Sequence, residues 1–498
     1  MIKLIYNEIL KQVKKKSFII ILSILVLFSG ALPFLYKAFT GTEENYPLFY
    51  SYLVEDYQAT LIKDAKTDNE LLNNDIINEK INIVKKAISK KEKSSNFKER
   101  LYYEYTESKI KAITLKYLIN DKNITNINND EFDFSEYLTY TKEELNTELN
   151  KVNKNINELE KVIESNDYTW YLKKCLNETS NKDKEMINLY KELISLNIVN
   201  EDDFRAKEAN KIIEYYNSKE VPMTKDEYIK TNNDISYSKY VDLINKKNKE
   251  LDNKISISYY AIKNNFNYSN SAKDTFNDLI SYNIVIISIL ITILAGGIVS
   301  NEFQKGTIRL LVIRPSKRWK ILLSKFLCIV SLIILFSLFT FTLSFITTGI
   351  AYGFSNLLIN DLSIINNEVV KTSMLVNSLT SLGIQMIPLV FMGLLAFFLS
   401  TVINNTALSV GLSIFVIMGQ NIATALLMVF GFKYIDYTFL PYLSFKQFIP
   451  SNKLTLYSNF DIYQIYYTFT KALIVLGIYS IILYITSNLV FTKKDIKN

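Results

Sequence analysis

The side chains whose types and spacing could serve function are concentrated in one polar segment, residues 301–325, which reads NEFQKGTIRLLVIRPSKRWKILLSK. This segment lies between two long apolar runs and holds seven basic residues but a single acid, Glu302. Loops rich in Lys and Arg between membrane spans are typical of the cytoplasmic face. The segment is therefore predicted to be a cytoplasmic loop that presents a Glu-x-x-x-Gly-Thr sequence followed by Pro-x-x-Arg.

The sequence lacks the groups on which many enzyme active sites depend. It contains no histidine, which excludes His-based acid–base catalysis, Ser-His-Asp triads and His-ligated metals within this chain. No phosphate-binding loop of the Gly-x-x-x-x-Gly-Lys-Ser/Thr type occurs. Of the two cysteines, Cys175 falls in a polar block and Cys328 in an apolar run, so no disulfide is expected. We expect this chain itself to be no enzyme and to bind no metal or cofactor.

The local sequence also predicts how the loop is shaped. Gly306-Thr307 offers a break or tight turn, because glycine tolerates a positive φ. Residues 308–313 form a short apolar element flanked by arginines, and Pro315-Ser316 favours the start of a new helix. A short amphipathic helix between two spans can push on both of them when a soluble partner grips it. The alternative is an ordinary positively charged loop, which explains the basic residues but not the order of the motif.

Apolar residues gather in six runs of about twenty or more, the length that crosses a bilayer core of roughly 30 Å. This pattern predicts an all-α integral membrane protein with six transmembrane helices and a large, mainly helical extracellular domain between the first two. Positive charge before the first run and after the last places both termini in the cytoplasm. The predicted segments are a cytoplasmic amphipathic interfacial helix (1–16), the first span (17–36), the extracellular helical domain (37–278), the second span (279–300), the cytoplasmic loop (301–320), the third span (321–352), an extracellular loop (353–373), the fourth span (374–402), a cytoplasmic turn (403–406), the fifth span (407–432), an extracellular hairpin (433–470), the sixth span (471–492) and a cytoplasmic tail (493–498).

Residues 1–16 fit two interpretations. Ile2, Ile5, Ile9 and Val13 follow helical spacing with lysines on the other side, which predicts an amphipathic helix in the membrane interface. The alternative is a positively charged flank that orients the first span. The apolar run that follows is longer than the core of a secretory signal peptide, so we interpret it as a retained span.

The polar block after the first span contains two prolines and one glycine across residues 37–277, which favours long helices. From Leu145 to Ile163 the apolar residues alternate steps of four and three, a pattern typical of an a/d seam. A self-packed helical hairpin is the favoured interpretation, and an intermolecular coiled coil is the alternative.

The six spans contain polar side chains but no acidic or basic side chain deep within them. Ion-coupled transporters usually place ionisable groups there, so ion or proton coupling is not expected. Lys325, close to the loop end of the third span, is expected to extend its ammonium group to water. The amides and hydroxyls either bond neighbouring helices or line a substrate path. The candidates for that path are Asn283, Gln385 and Asn421.

The order Glu302-x-x-x-Gly306-Thr307-x-x-x-Leu311-x-x-x-Pro315-x-x-Arg318 resembles the loop after the second span in type-2 permeases of ATP-binding-cassette (ABC) exporters. The six-span plan with both ends inside, the amphipathic helix before the first span and the proline-bearing apolar hairpin before the sixth are also similar to that family. The resemblance covers the spans, and the large outer domain departs from the shorter family members.

This resemblance implies a permease subunit that works with a second permease copy, as a homodimer or a related heterodimer, and with ATPase subunits that hold ATP and Mg. Closure of the ATPase pair would move the loop and drive an amphiphile, such as an antimicrobial peptide, lipid or drug, across or out of the bacterial plasma membrane. By carry-over, the residues that couple the permease to the ATPase are Glu302, Gly306, Thr307, Leu311, Pro315 and Arg318.

Two other functions remain open from the sequence. The outer helical domain could be the working part of a membrane-anchored surface receptor or scaffold, with the spans as an evolutionary relic. The chain could instead be a subunit of a secretion machine that uses a similar membrane fold without ATP.

Overall fold

The computed structural model describes residues 1–40, 47–120, 124, 133–181, 183–230, 236–307, 317–430, 432, 434–445 and 469–493. Within these residues six helices are long and apolar enough to cross a membrane. The protein is therefore an all-α membrane protein, as the hydrophobic pattern predicts. In chain order the elements are α1 (Ile2–Val13), α2 (Lys16–Thr40), α3 (Tyr52–Ala59), α4 (Asp68–Ser89), α5 (Asn96–Ile119), α6 (Lys142–Ser165), α7 (Tyr168–Glu178), α8 (Lys184–Ser195), α9 (Phe204–Asn217), α10 (Lys225–Lys230), α11 (Tyr237–Lys263), α12 (Ser271–Gly297), α13 (Ser300–Gln304), α14 (Arg318–Tyr352), α15 (Phe354–Leu357), β1 (Asp361–Ile365), β2 (Glu368–Thr372), α16 (Met374–Val402), α17 (Thr406–Val429) and α18 (Phe469–Lys493).

The chain divides into two compact units. Residues 42–219 and 258–267 form one, here called the helical unit, and residues 1–41, 220–257 and 268–498 form the other, here called the membrane unit. The single domain predicted at 37–278 is therefore divided, because 220–257 does not group with the helical unit. Two hydrogen bonds join the start of this stretch to a later part of it. The Glu220 amide donates to Asn248 Oδ1 at 3.1 Å, and Asn248 Nδ2 donates to the Glu220 carbonyl at 2.8 Å.

The six long apolar helices, α2, α12, α14, α16, α17 and α18, lie close to the predicted spans. The largest difference concerns the second span, because α12 begins at Ser271, within the residues predicted to be extracellular, and ends at Gly297. Asn270 explains this start, since its side chain accepts a hydrogen bond from the Lys273 amide as an N-cap. A polar first turn therefore precedes the apolar part of this helix.

The second and fourth spans form the centre of the membrane unit. In the most apolar stretch of each, 67% and 61% of the residues are buried, compared with 11% in the fifth span. α12 packs against α2, α14, α16 and α17. The Glu302 segment, which follows α12 directly, is thus attached to the central helix of the bundle.

Small and polar side chains fix several contacts between these helices. A Cβ on Gly296 would lie only 2.9 Å from Val410 Cγ2, so the glycine allows α12 and α17 to approach closely. Asn283 accepts from Ser29 Oγ and donates to Ser344 Oγ, both at 2.9 Å. This amide joins α2, α12 and α14. In lipid, where apolar surface gives little preference for one helix neighbour over another, such contacts specify the packing.

The segment predicted as an extracellular loop at 353–373 contains α15 and an antiparallel pair of strands. Asp361 of β1 pairs with Thr372 of β2, and Asn366 and Asn367 form the turn with φ values of 54° and 65°. Asparagine tolerates this left-handed region better than most residues, which suits a two-residue hairpin turn. The hairpin predicted at 433–470 is described only for Tyr434–Phe445, which form two short 3₁₀ turns, and through its last two residues, which begin α18.

The helical unit is built around α5 and α6, which pack against each other. They run antiparallel, since Tyr105 Oη donates to Glu160 Oε1 at 2.8 Å while Lys111 Nζ donates to Glu148 Oε1 at 2.9 Å. The predicted a/d seam is buried within this chain, which confirms a self-packed arrangement rather than an intermolecular coiled coil. The buried seam residues are Leu145, Val152, Ile156, Leu159 and Ile163.

Candidate functional site

Glu302 lies in α13, a single short helix that follows α12 after a two-residue interruption. The helix ends where Gly306 adopts a φ of 67° and its amide donates to the Phe303 carbonyl at 3.1 Å. Thr307 Oγ1 donates to the Glu302 carbonyl at 3.4 Å. The break expected at Gly306-Thr307 is therefore present, and glycine supplies the left-handed conformation that it needs.

The remaining loop candidates divide into one residue that the structure describes and two that it does not. Leu311 and Pro315 lie outside the described residues, in the segment 308–316. Arg318 begins α14, and its Nη1 donates to the Thr492 carbonyl at 3.0 Å, close to the end of α18. The ends of the second, third and sixth spans therefore meet at one end of the bundle, here called the Glu302 end.

A buried lysine organises the Glu302 end. Lys325 of α14 is 0% exposed, and its Nζ donates to Glu302 Oε1 at 2.8 Å and to Glu8 Oε2 at 2.9 Å. Lys11 adds a second cation, with its Nζ 2.7 Å from Glu8 Oε1 and 3.4 Å from Glu302 Oε1. These four residues, Glu8, Lys11, Glu302 and Lys325, are here called the ion cluster. The expectation that Lys325 extends to water is wrong, because two carboxylates compensate its burial.

The ion cluster fixes the orientation of α1. Glu8 and Gln12 are buried, while Ile2, Tyr6 and Val13 are exposed by 84%, 60% and 40%. The helix thus turns a polar face toward the bundle and part of its apolar face outward. An outward apolar face suits a helix in a membrane interface.

Two members of the ion cluster, Glu8 and Lys11, have pKa values shifted toward the charged state. Burial alone would raise the pKa of the Glu8 carboxyl, but Lys325 and Lys11 outweigh it and hold that pKa below its usual value. Burial would likewise lower the pKa of Lys11, but hydrogen bonding to Glu8 and the charges of Glu8 and Glu302 raise it. Lys15 differs, since burial and the nearby Lys325 charge both lower its pKa. The opposite charges around Glu8 and Lys11 thus favour the ionised form of these two side chains.

One atom of the ion cluster has an unmet bonding capacity. Glu302 Oε2 is buried and has no hydrogen-bond partner among the residues that the structure describes. A buried carboxylate oxygen without a donor carries a desolvation cost. The segment that carries Glu302 is therefore suited to receive a donor from the neighbouring loop or from a partner protein.

The three residues predicted for a substrate path do not converge. Asn283 is buried and uses its amide to join three helices, as described above. Gln385 is also buried and donates to Ser381 Oγ within its own helix at 3.2 Å. Asn421 is exposed on α17. Asn283 and Gln385 thus bond to protein groups, and Asn421 faces the surroundings of the bundle.

Glu8 is the functional candidate that the sequence interpretation missed. It lies 317 residues from Lys325 along the chain, so spacing could not connect the two. A usable signal was nevertheless present, because Glu8 is the single acid among five lysines in residues 1–16. Glu302 has the same character in its own basic segment.

Comparisons with known proteins place these residues in a family. A family described as "Protein of unknown function (DUF2705)" matches residues 241–497, just over half of the chain. The chain belongs to the DUF2705 family. The matched region includes Glu302, Lys325 and the last five spans, whereas Glu8 lies before it.

The chain is also similar to two proteins of Bacillus subtilis (strain 168). "Uncharacterized protein YhcI" is 31% identical over 221 residues, which cover 44% of this chain and 67% of the relative. "Uncharacterized membrane protein YdbK" is 28% identical over 175 residues, which cover 35% of this chain and 66% of the relative. The chain thus spans about two thirds of the length of each relative. No solved structure gives a significant match.

The ion cluster predicts a large effect of neutralising its central cation. In Lys325→Met the two carboxylates lose their shared counter-ion in a buried position. Removing one partner of a buried ion pair typically costs about 3–5 kcal/mol. We expect Lys325→Met to lower the free energy of unfolding by that order, measured by denaturant titration in mixed micelles. Lys320→Met, at an exposed position of the same helix, is the matched control. Equal effects of the two variants would contradict the role of the ion cluster.

The lowered pKa of Glu8 predicts a specific pH dependence. Ionised Glu8 stabilises the folded protein at pH values above 4.5, the usual pKa of a glutamate side chain. This contribution is lost as the pH falls through the lowered pKa of Glu8. Glu8→Gln is therefore expected to reduce Tm at neutral pH, with a difference from wild type that narrows as the solution is acidified. Thermal unfolding across the neutral to acidic range measures this. Glu55→Gln, at an exposed position of α3, should give no such narrowing difference. A constant difference for Glu8→Gln would count against the assignment.

Proposed function

We propose that this protein is the transmembrane permease subunit of an ABC exporter, driven by ATP hydrolysis in a separate nucleotide-binding subunit. The observation that carries the proposal is the placement of Glu302. It lies in a short helix at the end of the central span, next to a glycine break, and the ion cluster joins it to α1 and α14. A partner that grips this segment acts on three elements of the bundle at once. Resemblance of the loop motif to type-2 ABC permeases supports the same function.

We further propose that the Glu302 end faces the cytoplasm of a bacterial cell and that the helical unit is extracellular. The distribution of charge supports this orientation. Lysines flank the first span at its start, basic residues fill the loop after the second, and lysines follow the sixth. Lys- and Arg-rich segments next to spans remain on the cytoplasmic side. The contact between Arg318 and Thr492 supports the placement of the C-terminal end of α18 on that same side.

The proposed partners are ABC ATPase subunits at the Glu302 end and a second permease copy beside the fifth span. ATP and Mg belong to the ATPase, and this chain has the role of transmitting movement rather than catalysing a reaction. The second copy is supported by α17, which exposes Leu412, Phe415 and Ile422 together with Asn421. An amide facing lipid is unfavourable, and a helix from another subunit can bond it.

The proposed substrate is an amphiphile, such as an antimicrobial peptide, a lipid or a drug, that moves across or out of the membrane. The described spans support this class because ion-coupled transporters usually place ionisable groups deep in the bilayer. In the described residues, the charged ion cluster lies at the end of α14 rather than in the middle of the bundle, and Ser29, Asn283 and Ser344 bond to one another.

Neutralising Glu302 tests the coupling role. Glu302→Gln keeps the size of the side chain and leaves Lys325 paired with Glu8. Because hydrogen bonds to charged groups contribute roughly 1.5–3 kcal/mol, we expect permease-dependent ATP hydrolysis to fall about tenfold or more. The measurement is ATPase activity of the complex purified after co-expression with its ATPase. Glu368→Gln, exposed on β2, is the matched control. Normal activity of a folded Glu302→Gln complex, or failure of wild type to bind any ATPase, would refute the proposal.

Removing the outer residues separates this proposal from a surface receptor or scaffold. Tyr36 Oη donates to Asp278 Oδ2 at 3.3 Å, so the first and second spans lie together. A short linker can therefore replace residues 42–267, which comprise the helical unit and the stretch 220–257 of the membrane unit. We expect the shortened chain to retain ATPase binding and ATP hydrolysis while its response to substrate changes. Adding Glu302→Gln to the shortened chain should abolish the remaining activity. A receptor or scaffold would instead lose all function on deletion and tolerate Glu302→Gln in the full chain.

A further inference from the structure

The second span contains an interruption immediately before Glu302. The apolar stretch Ser271–Gln304 is long enough to count as one helix, yet it is divided between α12 and α13. Ile298 donates to the Ala295 carbonyl at 3.2 Å, which is the tighter three-residue spacing. Ile298 and Val299 keep right-handed conformations, with φ values of −70° and −107°. The backbone is therefore close to helical on both sides of the interruption.

Serine hydroxyls complete the hydrogen bonding at this interruption. The amides of Val299 and Ser300 both donate to Ser400 Oγ of α16, at 3.1 and 3.0 Å. The carbonyl of Gly296 accepts from Ser300 Oγ and from Ser409 Oγ of α17, both at 2.8 Å. All three serines are 0% exposed. The backbone groups at the interruption thus bond to Ser300 itself and to side chains from the fourth and fifth spans.

A continuous helix would satisfy the same groups without the serines. In that arrangement the amides of Val299 and Ser300 donate to the carbonyls of Ala295 and Gly296, four residues earlier. The hydroxyls of Ser400 and Ser409 can then bond carbonyls of their own helices, as buried serines commonly do. Ser413 already does so, with its Oγ donating to the Ser409 carbonyl at 2.7 Å. Neither arrangement leaves the amide of Val299 or Ser300 unpaired, so the two states can lie close in free energy.

We propose that Ser400 is a positioning residue that holds the second span in the interrupted one of two hydrogen-bonded states, the other being a continuous helix. Conversion to the continuous helix moves α13, with Glu302, relative to α16 and α17. The two states are a property of this chain alone. The further step, in which an ATPase drives the change and the fourth and fifth spans receive it, rests on the proposed function. Element pairs with two discrete arrangements are the physical basis of such transmission.

Distance measurement on the full chain in lipid nanodiscs tests the two states. Spin labels are placed at Lys305→Cys, next to the Glu302 segment, and at Thr380→Cys, exposed on α16, with Cys175→Ser and Cys328→Ser as background. Ser400→Ala removes the shared acceptor and is expected to shift the distance distribution by several ångström. Ser400→Thr retains a hydroxyl and should restore the original distribution. Ser413→Ala, which removes a buried hydroxyl bonded to its own helix, should leave it unchanged.

A second variant keeps the test valid if Ser400→Ala does not fold. Ser409→Ala removes one donor to the Gly296 carbonyl and should shift the distance in the same direction. Identical distributions in wild type, Ser400→Ala and Ser409→Ala would overturn the two-state proposal, as would an equal shift in Ser413→Ala. A shifted distance with unchanged permease-dependent ATP hydrolysis would overturn the transmission step. A shifted distance in a chain that binds no ATPase would contradict the proposed function while supporting the two states.

Discussion

The buried charge of Lys325 is the constraint on which the Glu302 end depends. An ammonium group with no exposed surface is stable only when anions touch it, because its hydration is lost. Glu8 and Glu302 supply those anions from two separate helices. α1, α13 and α14 must therefore meet at one place, and the polar face of α1 must turn inward to let them do so. The same requirement explains why a helix with an apolar stripe leaves much of that stripe outside the bundle.

Elsewhere in the membrane unit, specific contacts determine the packing of the helices more than the amount of buried apolar area does. Lipid tails are as apolar as leucine side chains, so burial of leucine against leucine gives little preference for one packing. Gly296 allows close packing against Val410 because it has no side chain. Asn283 forms hydrogen bonds with both Ser29 and Ser344. Helices held by a few hydrogen bonds can exchange those bonds for others of similar strength. This is why an interrupted second span is compatible with a well-packed bundle.

The parts of the fold that depend on local composition could be predicted from the sequence. The six spans follow from runs of apolar residues, and the seam of α6 follows from its periodicity. The partners of Lys325 could not be predicted, because Glu8 is 317 residues away and no pattern connects distant charges. The division of residues 37–278 between the two compact units could not be predicted either, because it depends on tertiary contacts. A single acid within a lysine-rich segment, as at Glu8 and Glu302, is the sequence feature that best indicated a buried ionic contact.

The position of α13 joins these two sets of interactions. On one side the ion cluster ties it to α1 and α14, and on the other the serine hydroxyls tie the residues just before it to α16 and α17. A helix of five residues has few hydrogen bonds of its own, so its position depends on these contacts with neighbouring elements. Displacing it must therefore disturb either the ionic contacts or the serine contacts. Charged contacts at a buried site are the stronger of the two, so movement is expected to break the serine contacts first and to carry α1 and α14 along.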